Sequence, residues 1–95
     1  DELGAALMKS FLYTLTESAS QISHLIFMNG GVYLSVDGSP ALEYLRDLES
    51  QGVQILCCGT CLDYFSLKEK LQVGEVTNMY NATEIMLNAG KILVI

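Results

Sequence analysis

Apolar residues follow two alternating patterns along the chain, one typical of helices and one typical of buried strands. A leucine or phenylalanine at every fourth position from Leu3 to Leu15 predicts a helix over residues 1–16, because residues four apart share a helix face. Residues 24–28, His-Leu-Ile-Phe-Met, form a short continuous apolar run instead. Such a run predicts a strand that is buried on both faces.

The same alternation continues to the end of the chain. The remaining predicted elements are a helix from Ser39-Pro40 to Gly52, a strand over 53–58, a helix over 60–71, a strand over 75–80, a helix over 81–90 and a strand over 91–95. Serine at the N-cap and proline at the first helical position favour a helix start at Ser39. Thr60 to Asp63 and Asn81 to Glu84 resemble capping boxes. The segment 32–36 fits either a strand edge or a packed loop.

Strands that alternate with helices of 10–15 residues predict an α/β fold with a mainly parallel sheet covered on both faces. We expect residues 1–95 to form one domain, because a chain of this length has room for a single core. A series of strand–helix–strand units normally begins with a strand, whereas this chain begins with a helix. We therefore expect a first strand to be missing before Asp1.

Composition and charge exclude several classes of function. The chain is 51% hydrophobic and only 17% charged, which is too apolar for a disordered protein. Its net charge of −6 argues against a nucleic-acid partner, which would call for a basic patch. No apolar run reaches the 18 or so residues of a membrane span. The start, Asp1-Glu2-Leu3, has no basic region typical of a signal peptide, so we predict a cytoplasmic protein.

Three cysteines, at 57, 58 and 61, lie within five residues of one another. An odd and local cluster does not form a secreted disulfide framework, and it suits a reducing cytoplasm. A structural zinc site needs four ligands, and His24 is the only histidine. We therefore predict no metal and no cofactor.

The candidate chemistry lies in Cys58-Gly59-Thr60-Cys61, where a buried strand gives way to a helix. Ligands of parallel sheets gather at the carboxyl ends of the strands, and a helix N-terminus lowers the pKa of a nearby thiol. With Thr60 as N-cap, Cys61 would take the first helical position, and Cys58 would lie exposed on the loop before it. Cys57 is interpreted as a small buried core residue.

Asn29 and Gly30 follow another predicted parallel strand, in Asn29-Gly30-Gly31. They either line the same rim of the sheet as the cysteines or form a plain turn. No phosphate-binding glycine pattern is present.

Three stretches of the chain resemble the C-terminal domain of the YedF proteins, sulfurtransferase-like proteins of selenium metabolism in the wider DsrE/DsrF-like group. They are Glu2-Leu3-Gly4 to Leu15, Leu56-Cys57-Cys58-Gly59-Thr60-Cys61-Leu62-Asp63-Tyr64, and Lys70-Leu71 with Val73 to Tyr80. The resemblance implies a three-layer α/β/α sandwich whose first strand precedes the residues that match Glu2-Leu3-Gly4. YedF proteins also typically carry an N-terminal TusA-like domain, and nothing in this chain resembles it.

The resemblance also implies a function. In sulfur-relay members of the wider group, the cysteine that matches Cys58 takes up persulfide sulfur, and Cys61 matches the YedF pattern. We predict a sulfur or selenium relay protein or sulfurtransferase with Cys58 and Cys61 as reactive residues and Gly59, Thr60, Asn29 and Gly30 as substrate-binding residues. Its partners would be a sulfur donor or acceptor protein, such as a cysteine desulfurase or a TusA-like protein, and further copies of itself in a homo-oligomer. The alternatives are a thiol–disulfide redox module using Cys58 and Cys61, and a non-catalytic binding or assembly domain.

Overall fold

Helices and strands alternate within residues 2–88 and 92–94, which a computed structural model of the chain describes. The helices are α1 (Glu2–Thr16), α2 (Leu42–Ser50), α3 (Gly59–Tyr64) and α4 (Met79–Asn88); the strands are β1 (His24–Phe27), β2 (Gln54–Cys58), β3 (Glu75–Thr77) and β4 (Ile92–Val94). Short 3-10 helices lie at Ala19–Gln21, Asn29–Ser35 and Lys68–Lys70. The predicted order of elements is therefore confirmed across the described residues.

The strands form one sheet in the order β3-β2-β1-β4, and every pair is parallel. Phe27 lies opposite Cys57, and Cys58 lies opposite Thr77. The predicted α/β class with a parallel sheet is confirmed. Because the strands are parallel, the carboxyl ends of β1, β2 and β3 meet at one edge of the sheet, which brings the segments that follow them together.

Apolar residues of the central strands alternate between two core clusters. Leu25, Phe27, Ile55 and Cys57 belong to a large cluster that includes Leu12 of α1 and both Leu45 and Leu48 of α2. Ile26 and Leu56 belong to a small cluster with Ala82 of α4. Alternation with a period of two puts these sets on opposite faces of the sheet. Both faces of the central strands are therefore covered, as their continuous apolar sequences predict.

The periodic apolar positions of α1 are mostly outside the core. Leu12 is buried, and Met8 and Leu15 pack partly against the large cluster. Leu3, Leu7 and Phe11 are 69%, 62% and 42% exposed. The i, i+4 spacing correctly predicts a helix, but much of the stripe that reveals it faces away from this core.

The helix predicted over 60–71 is shorter than expected at its C-terminal end. α3 ends at Tyr64 because Ser66 takes a left-handed conformation, with φ of 58°. The N–H of Leu67 then donates to the carbonyl of Leu62 at 2.8 Å, and the N–H of Ser66 donates to that of Asp63 at 3.1 Å. These two bonds are those of a Schellman motif, which closes a helix. Leu67 and Leu62 are both buried, which fixes the turn to the core.

The predicted starts of three helices are also corrected. The N-cap of α3 is Cys58, not Thr60, so the capping box expected from Thr60 to Asp63 does not form. α4 begins at Met79, two residues earlier than expected at Asn81, because the side-chain oxygen of Asn78 accepts the N–H of Asn81 at 2.8 Å. α2 begins at Leu42, and the Ser39 hydroxyl accepts the N–H of Ala41 in the turn before it.

The open alternative for segment 32–36 is resolved as packed, non-strand structure. Residues 32–35 continue the 3-10 helix Asn29–Ser35, and Val36 makes only an isolated antiparallel bridge to Leu71. Residues 89–91 and 95, where we predicted a helix end and both ends of a strand, lie outside the described residues, and the strand expected before Asp1 stays a prediction. No helix in the described part of the chain combines the length and apolarity that crossing a membrane requires.

Candidate functional site

The candidate residues lie at the edge of the sheet where β1 and β2 end. Asn29 comes two residues after the end of β1, and Cys58 is the last residue of β2. β2 passes directly into α3, which carries Gly59, Thr60 and Cys61 in its first turn. The parallel register of β1 and β2 therefore brings the segment after β1 against α3.

Cys58 is the N-cap of α3, and its side chain turns back onto the helix. Its Sγ accepts the N–H of Cys61 at 3.4 Å, in the position usually taken by a serine or aspartate oxygen. The side chain is consequently buried, with 7% of the residue exposed. The prediction that Cys58 lies exposed on a loop is wrong, because no loop separates the strand from the helix.

Cys61 is the more accessible thiol of the pair, being neither buried nor fully exposed. It occupies the third helical position rather than the first, because the helix begins at Gly59. Its Sγ accepts the backbone N–H of Asn29 at 3.1 Å. A hydrogen bond to the Cys58 side chain raises the pKa of the Cys61 thiol, as does burial, while the Asn29 N–H acts in the opposite direction.

Asn29 reaches the site through its backbone. Its φ is 51°, in the left-handed region that asparagine tolerates better than most residues. The neighbouring N–H of Gly31 donates to the carbonyl of Met28 at 2.9 Å and closes the turn. The segment was expected either to line the rim beside the cysteines or to form a plain turn. It forms a turn, and the backbone N–H of Asn29 in that turn also contacts Cys61. Gly30 is exposed, and a Cβ there would meet no atom within 4 Å.

Gly59 and Thr60 differ in their surroundings. A Cβ on the buried Gly59 would lie 3.1 Å from both the carbonyl oxygen of Thr77 and Cγ1 of Val76, so glycine permits the close approach of α3 to β3. Thr60 is exposed. Both residues line a shallow depression of about 290 Å³ together with Asp63, Lys68, Val76, Thr77 and Asn78. Asp63 pairs with Lys68 at 3.2 Å across it, so this carboxylate caps no backbone N–H of α3.

Cys57 lies in the core, as predicted, and takes no part in this site. It is fully buried, and its Sγ lies 2.9 Å from the hydroxyl of Ser35, which is also fully buried. Burial raises the pKa of the Cys57 thiol, and the hydrogen bond with Ser35 opposes the shift only in part. Sequence reasoning missed Ser35. Its only signal was a single serine within the apolar segment 32–36.

Among the described residues, no group of three or more histidine, cysteine, aspartate or glutamate side chains is arranged to hold a metal ion. A larger groove of about 370 Å³ lies between the sheet and α4, and none of the three cysteines lines it. The chemistry of the candidate site therefore rests on two thiols and the two backbone N–H groups that donate to them.

Comparison with known proteins gives one match. The model of the DsrE/DsrF-like family matches residues 3–95, which is nearly the whole chain. No curated protein and no solved structure matches it.

Proposed function

Because the chain belongs to the DsrE/DsrF-like family, whose members typically relay sulfur, we propose that it is a sulfur relay protein that carries a persulfide on Cys58. The observation that supports this most directly is the pairing of the two thiols at the end of β2. The Sγ of Cys58 accepts the N–H of Cys61, and the Sγ of Cys61 accepts the N–H of Asn29. A thiolate held by such donors is a suitable nucleophile at the carboxyl edge of a parallel sheet.

The proposed loading step is a displacement at sulfur. The Cys58 thiolate attacks the outer sulfur of a donor persulfide, the donor's S–S bond breaks, and the donor leaves as a thiolate while Cys58 becomes Cys58–S–SH. No net oxidation or reduction takes place. The backbone N–H of Cys61 donates to the Cys58 Sγ and would stabilise negative charge there, which favours Cys58 as the attacking sulfur.

Within the family we propose a relationship to the C-terminal domain of YedF, on the resemblance around Cys58-Gly59-Thr60-Cys61. Selenium would undergo the same displacement as sulfur, so selenium is a second proposed cargo. From the same resemblance we propose the three-layer α/β/α sandwich and a strand that precedes α1. Clusters of buried residues on both faces of the central strands support the layered arrangement.

We propose a protein rather than a small anion as the source of sulfur, such as a cysteine desulfurase or a TusA-like protein. The net charge of −6 disfavours the steering of an anionic donor toward the site. The depression beside Gly59 and Thr60 is open and shallow, which suits contact with another protein. We also propose that the chain forms a homo-oligomer and acts in the cytoplasm.

A thiol–disulfide redox module is the second candidate. The position of the two cysteines favours it, because the Cys61 N–H donates to the Cys58 Sγ at 3.4 Å, so both thiols lie at the first turn of α3, and neither is in a disulfide. An insulin-reduction assay tests this role. Activity well above background, which is lost in both Cys58→Ser and Cys61→Ser, would support the redox module over the relay.

Mass spectrometry tests the relay directly. The protein is incubated with a cysteine desulfurase and cysteine, and we expect it to gain the mass of one sulfur atom. Cys58→Ser should lose this adduct. Cys57→Ala is the matched control, because Cys57 is adjacent in sequence but sealed in the core, and it should still load. Absence of an adduct on the wild type, or its survival in Cys58→Ser, would refute the proposed carrier.

Full cellular function of the Cys58→Ser/Cys61→Ser variant would support a non-catalytic assembly domain.

A further inference from the structure

We infer that Cys61 is a second sulfur carrier, which takes the sulfur from Cys58 and presents it to the acceptor while the backbone N–H of Asn29 holds its sulfur. This inference rests on the proposed function, since it requires that Cys58 be loaded first. It goes beyond that function because it gives the two thiols successive roles and adds Asn29 as a positioning residue.

The accessibility of the two sulfurs is the first argument. Cys58 is 7% exposed and is folded back as the N-cap of α3, whereas Cys61 is only partly buried. An acceptor of protein size would therefore meet Cys61 before Cys58. A sulfur that stayed on Cys58 would be shielded from such an acceptor by the first turn of α3.

The hydrogen bonds are the second argument. The Asn29 N–H donates to the Sγ of Cys61 at 3.1 Å, and the Cys61 N–H donates to the Sγ of Cys58 at 3.4 Å. Each sulfur thus has its own backbone donor, so negative charge is stabilised on whichever of the two carries it.

The proposed transfer balances without any oxidant or reductant. The loaded Cys58–S–SH first releases its proton to water, and the Cys61 proton then passes to the outer sulfur of the resulting Cys58 persulfide anion. The Cys61 thiolate then attacks that outer sulfur, the Cys58 S–S bond breaks, and Cys58 leaves as a thiolate that its bond from the Cys61 N–H stabilises. The products are Cys61–S–SH and the Cys58 thiolate, with one proton and one negative charge conserved after that first release.

The left-handed backbone conformation of Asn29 directs its N–H at the Cys61 Sγ. Substitutions that favour or disfavour this conformation therefore test whether the N–H is needed. A β-branched residue strongly disfavours φ of 51°, whereas glycine adopts it freely. Asn29→Val should displace the N–H, and Asn29→Gly should preserve it. Asn29 is exposed, so neither change opens a cavity in the core.

The experiment follows the sulfur with time. The wild type is loaded with a cysteine desulfurase and cysteine, quenched with an alkylating agent, and cleaved to a peptide that contains both thiols. Fragmentation between Gly59 and Thr60 then assigns the extra sulfur. We expect it on Cys58 at first and on Cys61 later. Asn29→Val should slow its arrival on Cys61 about tenfold, the effect of losing one hydrogen bond to a charged group, and Asn29→Gly should not.

Cys61→Ser provides the second measurement. It should still gain one sulfur on Cys58 and should still transfer it to cyanide, a small nucleophile. Its transfer to a TusA-like acceptor protein should fall to background. Cys57→Ala, the matched control, should behave as the wild type in both transfers.

The outcomes separate the inference from the function on which it rests. Failure of any thiol to load would overturn the proposed relay itself. Loading that stays on Cys58, with Cys61→Ser transferring to the protein acceptor normally, would overturn only the second carrier. Appearance of sulfur on Cys61 before Cys58 would overturn the order. Release of sulfide with formation of a Cys58–Cys61 disulfide would show attack on the inner sulfur, and would also overturn the inference. Equal rates for Asn29→Val and Asn29→Gly would remove Asn29 from the mechanism.

Discussion

Cys57 and Cys58 are adjacent in β2 and both belong to the large core cluster, but their thiols have different hydrogen-bond partners. Cys57 lies within the strand and points into the large core cluster, where its thiol hydrogen-bonds with the Ser35 hydroxyl. Cys58 ends the strand and accepts a backbone N–H of the helix that follows. Cys57 therefore acts as a packing residue, whereas Cys58, one residue further along the chain, is a candidate nucleophile.

The buried Cys57 should make stability depend on alkaline pH. Burial raises its pKa above the ordinary value of 9.0, so above that pH the unfolded chain loses a proton that the folded chain retains. Stability is then fully present below about pH 9 and falls as the pH rises, by at most about 1.4 kcal/mol per pH unit. Urea denaturation between pH 8 and 10.5 in a reducing buffer would measure this slope.

Cys57→Ala is the control for that slope. It should remove part of the alkaline loss of stability, while every other group acts equally in both proteins. Identical pH profiles for the wild type and Cys57→Ala would show that the thiol ionises as readily in the folded chain as in the unfolded chain.

Gly59 should be intolerant of a side chain. The Cβ of Gly59→Ala would lie 3.1 Å from a backbone oxygen of β3, and a backbone atom of the sheet yields less easily than the end of a side chain. We expect a loss of about 1–3 kcal/mol of unfolding free energy and slower reaction of Cys58 with a thiol reagent. Gly30→Ala is the matched control, because its Cβ meets nothing within 4 Å. Equal effects of the two changes would contradict the close packing of α3 on β3.

At the scale of elements, α2 and α3 end in the same way with different residues. After α2 the left-handed position is Gly52, with φ of 97°, and the N–H of Val53 donates to the carbonyl of Leu48. After α3 the same position is Ser66, with φ of 58°. Only glycine adopts this conformation without a steric cost, so α3 carries a strain that α2 avoids.

This difference predicts opposite effects of two exchanges. Ser66→Gly should raise the free energy of unfolding by about 0.5–1 kcal/mol, because the relief of the left-handed strain outweighs the added freedom of the unfolded chain. Gly52→Ala should lower it by about 1–2 kcal/mol. Both residues are exposed, so packing does not obscure the comparison. Urea denaturation gives both values, and a destabilised Ser66→Gly would contradict the strain.

The strands of this fold could be predicted from the sequence, but the exact start of α3 could not. Apolar runs identified β1 and β2, and the parallel arrangement followed from the alternation with helices, so Asn29 and Cys58 could be placed at one edge of the sheet. The start of α3 could not be predicted, because cysteine is not a usual N-cap and Thr60 is. The burial of Cys58 follows from that cap, and it was missed for the same reason.

At the scale of the whole molecule, much apolar surface remains outside the two core clusters. One patch is the α1 stripe, which consists of Leu3, Leu7 and Phe11. Another lies at α4, where Met79, Tyr80 and Leu87 are 60%, 77% and 80% exposed. The α1 stripe belongs to a helix packed on the large cluster, and the α4 patch to a helix packed on the small one. The two patches therefore lie on opposite sides of the sheet.

Their positions suit different partners. The start of α4 lies next to Asn78, which lines the depression at Gly59 and Thr60, so contact there would bring a sulfur donor close to the thiols. The α1 stripe repeats at every fourth residue over two turns, and a short helical stripe can pack against its own copy across a two-fold axis. We therefore assign the α1 stripe to the proposed contact between copies of the chain.

Leu7→Glu should dissociate that assembly, because it places a charge at the centre of the stripe. Sedimentation should give the wild type a mass that is a multiple of 10.4 kDa and give Leu7→Glu a mass near 10.4 kDa itself. Ser20→Glu adds the same charge at an exposed position outside α1, and it should leave the mass of the assembly unchanged. Persulfide loading of Cys58 should persist in Leu7→Glu, since α1 contributes no residue to the site. A wild type that sediments as a monomer would refute the assembly, and an unchanged assembly in Leu7→Glu would move the contact to another surface.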